Sequence, residues 1–207
     1  PNLIKSVGVN VFGKLDKGDQ VEDCMYQVIE LAGNGAISNF VRKTGPLEEE
    51  LTRFFMIQIL HAVSHMHQQY YVHLDMKLEN IFLDKYFNIK VGDLGSSSNV
   101  AEENGFISSR RGTPLYMAPE IKVLQPGEEY EAYSADIYSL GICLFVMLTG
   151  EFPSPLDLGH SYESRDTDES GECNSSPEFD SKKFTNLSPS VISLIQEMTD
   201  ENDIARP

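Results

Sequence analysis

The sequence predicts a mixed α+β fold, mainly helical, and three observations carry that expectation. Two short runs rich in β-branched and aromatic residues, 3–12 and 24–31, flank a turn-forming stretch from Gly13 to Asp19 and read as two strands joined by a loop. Leu51, Phe55, Ile59, Val63, Met66 and Tyr70 recur at steps of three or four, which makes one apolar face of a helix about 20 residues long. The stretch from Asp136 to Leu148 is apolar almost all round, the pattern of a helix at the centre of a domain.

The remaining elements follow in order. Gly33-Asn34-Gly35 breaks the second strand, and a short helix is expected from Ile37 to Lys43. Pro46 and Glu48-Glu49-Glu50 suit the start of the long helix, because proline and acids are favoured in a first turn. Ile81-Phe82-Leu83 and Ile89 to Val91 read as a small hairpin around the turn from Asp84 to Phe87. Residues 96–113 are polar and serine-rich and read as a long exposed loop, a length that is usually functional or disordered. Residues 151–183 are acid-rich, with Pro, Ser and Gly, and read as an exposed, partly disordered insertion. A last amphipathic helix runs from Ser188 to Thr199, with Ser188 as its N-cap and Pro189 at its first position. There is no internal repeat.

Composition narrows the function classes. The 207 residues suit one domain or a little more. With 16 basic against 32 acidic residues the net charge is -16, which argues against nucleic acid or an anionic membrane as the main partner. The hydrophobic fraction of 41% is ordinary for a globular core. No run of about 18 apolar residues is present, so no membrane-spanning segment is expected. Three cysteines, Cys24, Cys143 and Cys173, form neither a disulfide framework nor a zinc pattern. That usage suits a reducing compartment, and with no signal peptide in view the default placement is cytoplasmic. The chain begins Pro1-Asn2-Leu3 and stops at Arg206-Pro207, and both ends read as cuts through a longer protein.

The chemistry concentrates in His73-Leu74-Asp75-Met76-Lys77-Leu78-Glu79-Asn80, followed by Gly92-Asp93-Leu94-Gly95. Asp, Lys and Asn stand at i, i+2 and i+5, with a second Asp-x-Gly beyond. Phosphoryl transfer needs a divalent metal, a positioned nucleophile and a cation near the transferred group. Asp93 and Asn80 are hard oxygen donors suited to Mg²⁺. Asp75 can take or orient a hydroxyl proton, and Lys77 can stand beside the phosphate. A lone Asp-Leu-Gly is most often a turn, and a lone His a core residue; the joint order is what is specific.

These residues resemble the motifs of the eukaryotic protein kinases. His73 to Asn80 is similar to the catalytic-loop motif H-R-D-L-K-x-x-N, Asp93-Leu94-Gly95 to D-F-G, and Ala118-Pro119-Glu120 to A-P-E, which follows Gly112-Thr113-Pro114-Leu115-Tyr116-Met117. Asp136 resembles the aspartate that opens the family's central helix, and Arg206 the arginine that pairs with the A-P-E glutamate, here Glu120. The resemblance implies a kinase-like fold: a mainly helical large lobe from residue 33 to 207, and a short remnant of the small-lobe sheet with the hinge in residues 1–32. Backbone groups of Glu30 and Ala32 would hydrogen-bond adenine, Ile29 would be the gatekeeper, and Phe82 would form the apolar floor. Thr113 would bridge Asp75 and Lys77. Lys77 and Thr113 together resemble the serine/threonine class. The implied partners are ATP, Mg²⁺ and a protein carrying a Ser or Thr hydroxyl.

Several positions depart from the pattern. Leu74 replaces the arginine that clamps an activation-loop phosphate, so control by phosphorylation near Ser109 is expected to weaken. Ser108-Ser109-Arg110-Arg111 reads as a solvated loop. Leu94 replaces the D-F-G phenylalanine and is expected to pack on His73. No Gly-rich loop or strand lysine precedes the hinge, so the 207-residue piece by itself is expected to be inactive. The main reading is an ATP-dependent serine/threonine protein kinase. The alternative is a pseudokinase or scaffold, and a small-molecule kinase is a weaker third.

Overall fold

The computed structural model describes residues 1–158 and 184–207. Its first element is a hairpin. Strand β1 (Ser6–Asp16) pairs antiparallel with β2 (Val21–Ile29), with irregularities between Ser6 and Gly8 and between Asn10 and Gly13. The loop expected from Gly13 to Asp19 shrinks to the turn at 17–20, closed by Lys17 N–H donating to the Gln20 carbonyl at 2.9 Å. Gly13 works as a strand residue instead. The Tyr26 ring lies across it, and a Cβ there would stand 2.4 Å from the ring.

Strand β3 (Gly35–Ala36) joins β5 (Ile81–Leu83) and β6 (Ile89–Val91) in a three-stranded sheet. The chain before β1 runs beside β6: Ile4 N–H donates to the Val91 carbonyl and Val91 N–H to the Asn2 carbonyl, both at 2.7 Å. The turn between β5 and β6 is held by the Asp84 carboxylate, which accepts from the N–H groups of Tyr86 and Asn88. This is the small hairpin the sequence announced.

Helix α1 (Ile37–Thr44) and helix α2 (Glu49–Gln68) follow. The buried face of α2 is Thr52, Phe55, Met56, Ile59, Ala62, Val63 and Met66. Leu51 and Tyr70, expected on that face, are exposed. Tyr70 lies beyond the helix end with φ 62°, so the helical period no longer governs its direction. Helix α4 (Ala132–Thr149) starts four residues before the expected Asp136, because Glu131 caps it by accepting from the N–H groups of Tyr133 and Ser134. By length and composition α4 is long and apolar enough to cross a membrane, with mean hydropathy 1.5, but 72% of it is buried inside the fold. It is the core helix, with α2 and α5 (Pro189–Met198) packed against it. Helix α5 (Pro189–Met198) has the expected cap: Ser188 Oγ accepts from Val191 N–H, with proline at the start. Its end presses on α4 at Gly141, where a Cβ would stand 2.6 Å from Thr199 Cγ2.

Two further expectations change. The stretch 96–113 is not one open loop. Strand β4 (Tyr71–Val72) pairs with β7 (Ser98–Asn99), and β8 (Phe106–Ile107) pairs with β9 (Tyr130–Glu131), which pins it near its start and at its middle. In the acid-rich stretch 151–183, Glu151, Phe152 and Ser154 are exposed, and the chain then turns inward. Pro155–Leu158 forms a short 3-10 turn with Asp157 and Leu158 buried. The rest of that stretch, 159–183, lies outside the described residues. The short helix α3 (Pro119–Lys122) follows the segment 112–118.

Candidate active site

His73 is fully buried and organises the segment around Asp75. Its Nε2 lies 3.1 Å from the Gly92 carbonyl, and its Nδ1 accepts from Asp75 N–H at 3.3 Å. The backbone before Asp75 is suspended from α4. Asp136, 1% exposed, accepts from His73 N–H and Leu74 N–H at 2.8 Å each, and its Oδ2 lies 2.9 Å from His67 Nε2. A buried carboxylate needs such partners, and here backbone donors supply two of them. Leu74 itself is buried and adopts φ 65°, a left-handed conformation uncommon for its type. Its carbonyl is met by Gly112, where φ is 105° and a Cβ would stand 2.8 Å from the Leu74 oxygen. Only glycine fits that crossing.

Four of the residues singled out in the sequence meet directly. Thr113 Oγ1 donates to Asp75 Oδ1 at 2.7 Å. Lys77 Nζ donates to Asp75 Oδ2 at 2.7 Å and to Thr113 Oγ1 at 2.9 Å. Asn80 Nδ2 donates to the Asp75 carbonyl at 2.9 Å and to its Oδ2 at 3.3 Å. Burial raises the Asp75 pKa, but the hydrogen bonds from Lys77 and Thr113 and the Lys77 charge outweigh it and hold the carboxyl below its usual value.

Asp93 is brought alongside by backbone rather than by its side chain. Gly92 N–H donates to the Asn80 carbonyl at 2.9 Å, and Asp93 then turns with φ 54°, its carboxylate accepting from Gly95 N–H at 3.4 Å. Asp93 lines a cleft of about 570 Å³ together with Ile29, Phe82, Ile4 and Gly95. Glu30 and Ala32 stand next in the chain after Ile29. Glu30 N–H is taken by the Lys5 carbonyl, and the Ala32 carbonyl by Gly35 N–H. The Glu30 carbonyl and the Ala32 N–H have no partner among the described residues. One acceptor and one donor therefore stand two residues apart on the chain that directly follows the cleft-lining Ile29.

Among the described residues no three His, Cys, Asp or Glu side chains group as a metal cluster. The donor set left for a cation is the Asp93 carboxylate and the Asn80 amide. The Asn80 amide spends its NH₂ on Asp75 and keeps its oxygen for another partner. Hard oxygens of this kind fit Mg²⁺, which usually takes one or two carboxylates and completes its shell with water and phosphate oxygens.

Other expectations shift. Leu94, expected to pack on His73, is 44% exposed, and the Gly92 carbonyl meets the His73 ring nitrogen. The stretch 108–111 is not simply solvated. Arg111 Nε donates to Ser109 Oγ at 2.9 Å and its NH1 to the Ser96 carbonyl at 3.2 Å, which ties the end of the segment to its beginning. Arg206 pairs with Glu120 through two bonds of 2.7 and 2.8 Å. Sequence reasoning missed Lys90, which reaches Glu30, and His67, which reaches Asp136. Neither carries a local signal, since each finds its partner only through the fold.

A family profile described as "Protein kinase domain" matches residues 3–207. The chain is 37% identical over 172 residues to the serine/threonine-protein kinase ppk16 of Schizosaccharomyces pombe, a match covering 83% of this chain and 25% of that protein. It is 36% identical to the cell cycle serine/threonine-protein kinase CDC5/MSD2 of Saccharomyces cerevisiae, covering 67% of this chain and 20% of the relative. It is 35% identical to the serine/threonine-protein kinase SIK1 of Mus musculus, covering 74% of this chain and 18% of the relative. The chain thus spans about a quarter or less of these curated relatives.

Proposed function

The chain belongs to the protein kinase family, and from that premise we propose that it carries the large lobe of an ATP-dependent kinase acting on serine or threonine hydroxyls of proteins. The observation that carries this reading is the closed network of Asp75, Lys77, Thr113 and Asn80 beside a cleft that Asp93 lines. Asp75 is held ionised, and its oxygens are aimed by Lys77 and Thr113. In this role it accepts a hydrogen bond from an incoming hydroxyl and orients the oxygen toward the γ-phosphorus. Lys77 places its ammonium where negative charge builds on the transferred group. Asn80 and Asp93 are the residues that would hold magnesium, whose bound charge neutralises phosphate oxygens. The Glu30 carbonyl and Ala32 N–H offer the acceptor and donor an adenine edge needs, over the apolar Phe82. The free cysteines Cys24 and Cys143 suit a reducing, intracellular setting.

Leu74 and Leu94 favour a second reading, a scaffold that binds partners without transferring phosphate. One assay separates the two. The full natural protein is incubated with radiolabelled ATP, a serine/threonine protein substrate and either Mg²⁺ or Mn²⁺. The kinase reading expects label on the substrate and none from Asp93→Ala. No label under either metal supports the scaffold.

A further inference from the structure

Glu30, the residue after β2, is gripped from two sides. Its N–H donates to the Lys5 carbonyl at 2.9 Å, and its Oε1 accepts from Lys5 N–H at 2.8 Å. The same oxygen accepts from Lys90 Nζ at 2.9 Å. The Lys90 ammonium also donates to the Pro1 carbonyl at 3.0 Å. Only 16% of the Lys90 side chain and 30% of the Glu30 side chain is exposed. The ammonium holds the Glu30 carboxyl below its usual pKa.

Lys90 is well placed to transmit position. It sits in β6 opposite Phe82, two residues before Gly92 and three before Asp93. One ammonium therefore ties together the strand that carries the cleft floor, the segment 1–5 that runs beside β6, and Glu30, which directly follows the cleft-lining Ile29. The chain beyond Glu30 has little else to fix it on that side. Leu31 is 89% exposed, and the next anchor is Asn34, whose N–H donates to the Leu83 carbonyl.

We infer that Lys90 is a positioning residue for the nucleotide base: through the Glu30 carboxylate it holds the Glu30 carbonyl and the Ala32 N–H in register above Phe82. This rests on the nucleotide reading given above and adds to it a residue that never touches the ligand. A rigid heterocycle gains from two backbone groups only when their spacing is set beforehand, since otherwise the backbone is ordered at the expense of binding. A compact ammonium with three donors can meet a carboxylate and a carbonyl at once.

The test compares Lys90→Met with Lys90→Arg in the full natural protein. ADP affinity, the KM for ATP, the KM for the protein substrate, kcat and the melting midpoint are all measured. In Lys90→Met the ADP Kd and the KM for ATP should rise about tenfold, the loss expected for one charge-assisted hydrogen bond, while kcat and the KM for the protein substrate stay near wild type. Lys90→Arg should keep most of the affinity. If Lys90→Met does not fold, Lys90→Gln neutralises the same pair and is read in the same way. Unchanged ADP affinity in the neutralised variant overturns the inference. So does a parallel rise of both KM values together with a fall in kcat and melting midpoint, because that pattern marks a merely structural residue. A wild-type protein that binds no ADP overturns the nucleotide reading itself, which the wild-type measurement reveals separately.

Discussion

Asp75 shows how a single residue can be tuned by its neighbours. Burial disfavours its charge, yet two donors and an ammonium win, and the folded carboxyl titrates below its ordinary value of 3.8. The sign of the consequence follows. A depressed folded pKa contributes stability that is complete above the unfolded value and is lost as pH falls through the folded one. The difference in unfolding free energy between wild type and Asp75→Asn should therefore be open at neutral pH and narrow below pH 3.8, as read by denaturant titration at several pH values. On activity, Asp75→Asn should lower kcat by about a thousandfold, the usual scale for a lost general base, with little change in the KM for ATP. A modest drop would instead favour a purely structural place for this carboxylate. The residues around it bear strain that serves the same geometry. Leu74 and Asp93 both adopt left-handed backbone, at a cost of about 1–3 kcal/mol each, and they are held there by the bond of Leu74 N–H to the Asp136 carboxylate and of Gly92 N–H, next to Asp93, to the Asn80 carbonyl.

Among elements, α4 does the most. It supplies the buried centre against which α2 and α5 pack, and near its N-terminus it presents Asp136 to the backbone of the Asp75 segment. Arg206 fastens the far end of the chain to this assembly. Its side chain is fully buried, it stacks near the Tyr138 ring at 5.0 Å, and it holds Glu120 bidentately. Glu120 belongs to α3, directly after the segment 112–118 that carries Thr113. Removing one partner of a buried pair leaves the other uncompensated. Arg206→Ala should therefore destabilise the fold by about 3 kcal/mol and loosen Thr113 with it. Thermal unfolding checks the first effect. Arg206→Lys, which keeps the charge but loses the two-pronged grip, should recover only part of it. A melting point unchanged in Arg206→Ala would remove this pair from the list of what holds α3.

At the scale of the whole molecule, the described residues divide into a packed helical body and a hairpin that buries little. Val7, Val9, Val11, Val21 and Met25 are all exposed on β1 and β2, and Phe12 is 90% exposed. A two-stranded sheet with so little packing is marginal in water. In the isolated 207-residue chain, amides of β1 and β2 should exchange with deuterium far faster than those of α4, and exposed strand edges should favour association. Protection equal to that of α4, measured by mass spectrometry, would contradict this. Much of the molecule could be read without coordinates, because its cues are local. The Ser188-Pro189 start of α5, the stripe of α2, the apolar run of α4 and the Asp84 turn depend on neighbours within a few positions, where propensity and hydrogen-bonding chemistry act directly. The order His73 to Asn80, then Asp93, then Ala118 to Glu120, was equally visible. What tertiary structure alone decided were meetings between distant residues. Asp136 finds backbone N–H groups, which every residue type carries, so no side-chain pattern could announce them. The same holds for the Gly92 carbonyl on His73, for Lys90 on Glu30 and for Gly13 beneath Tyr26. Local chemistry chose the elements, and only their packing could choose which donor meets which acceptor, because that choice depends on distance in space and not along the chain.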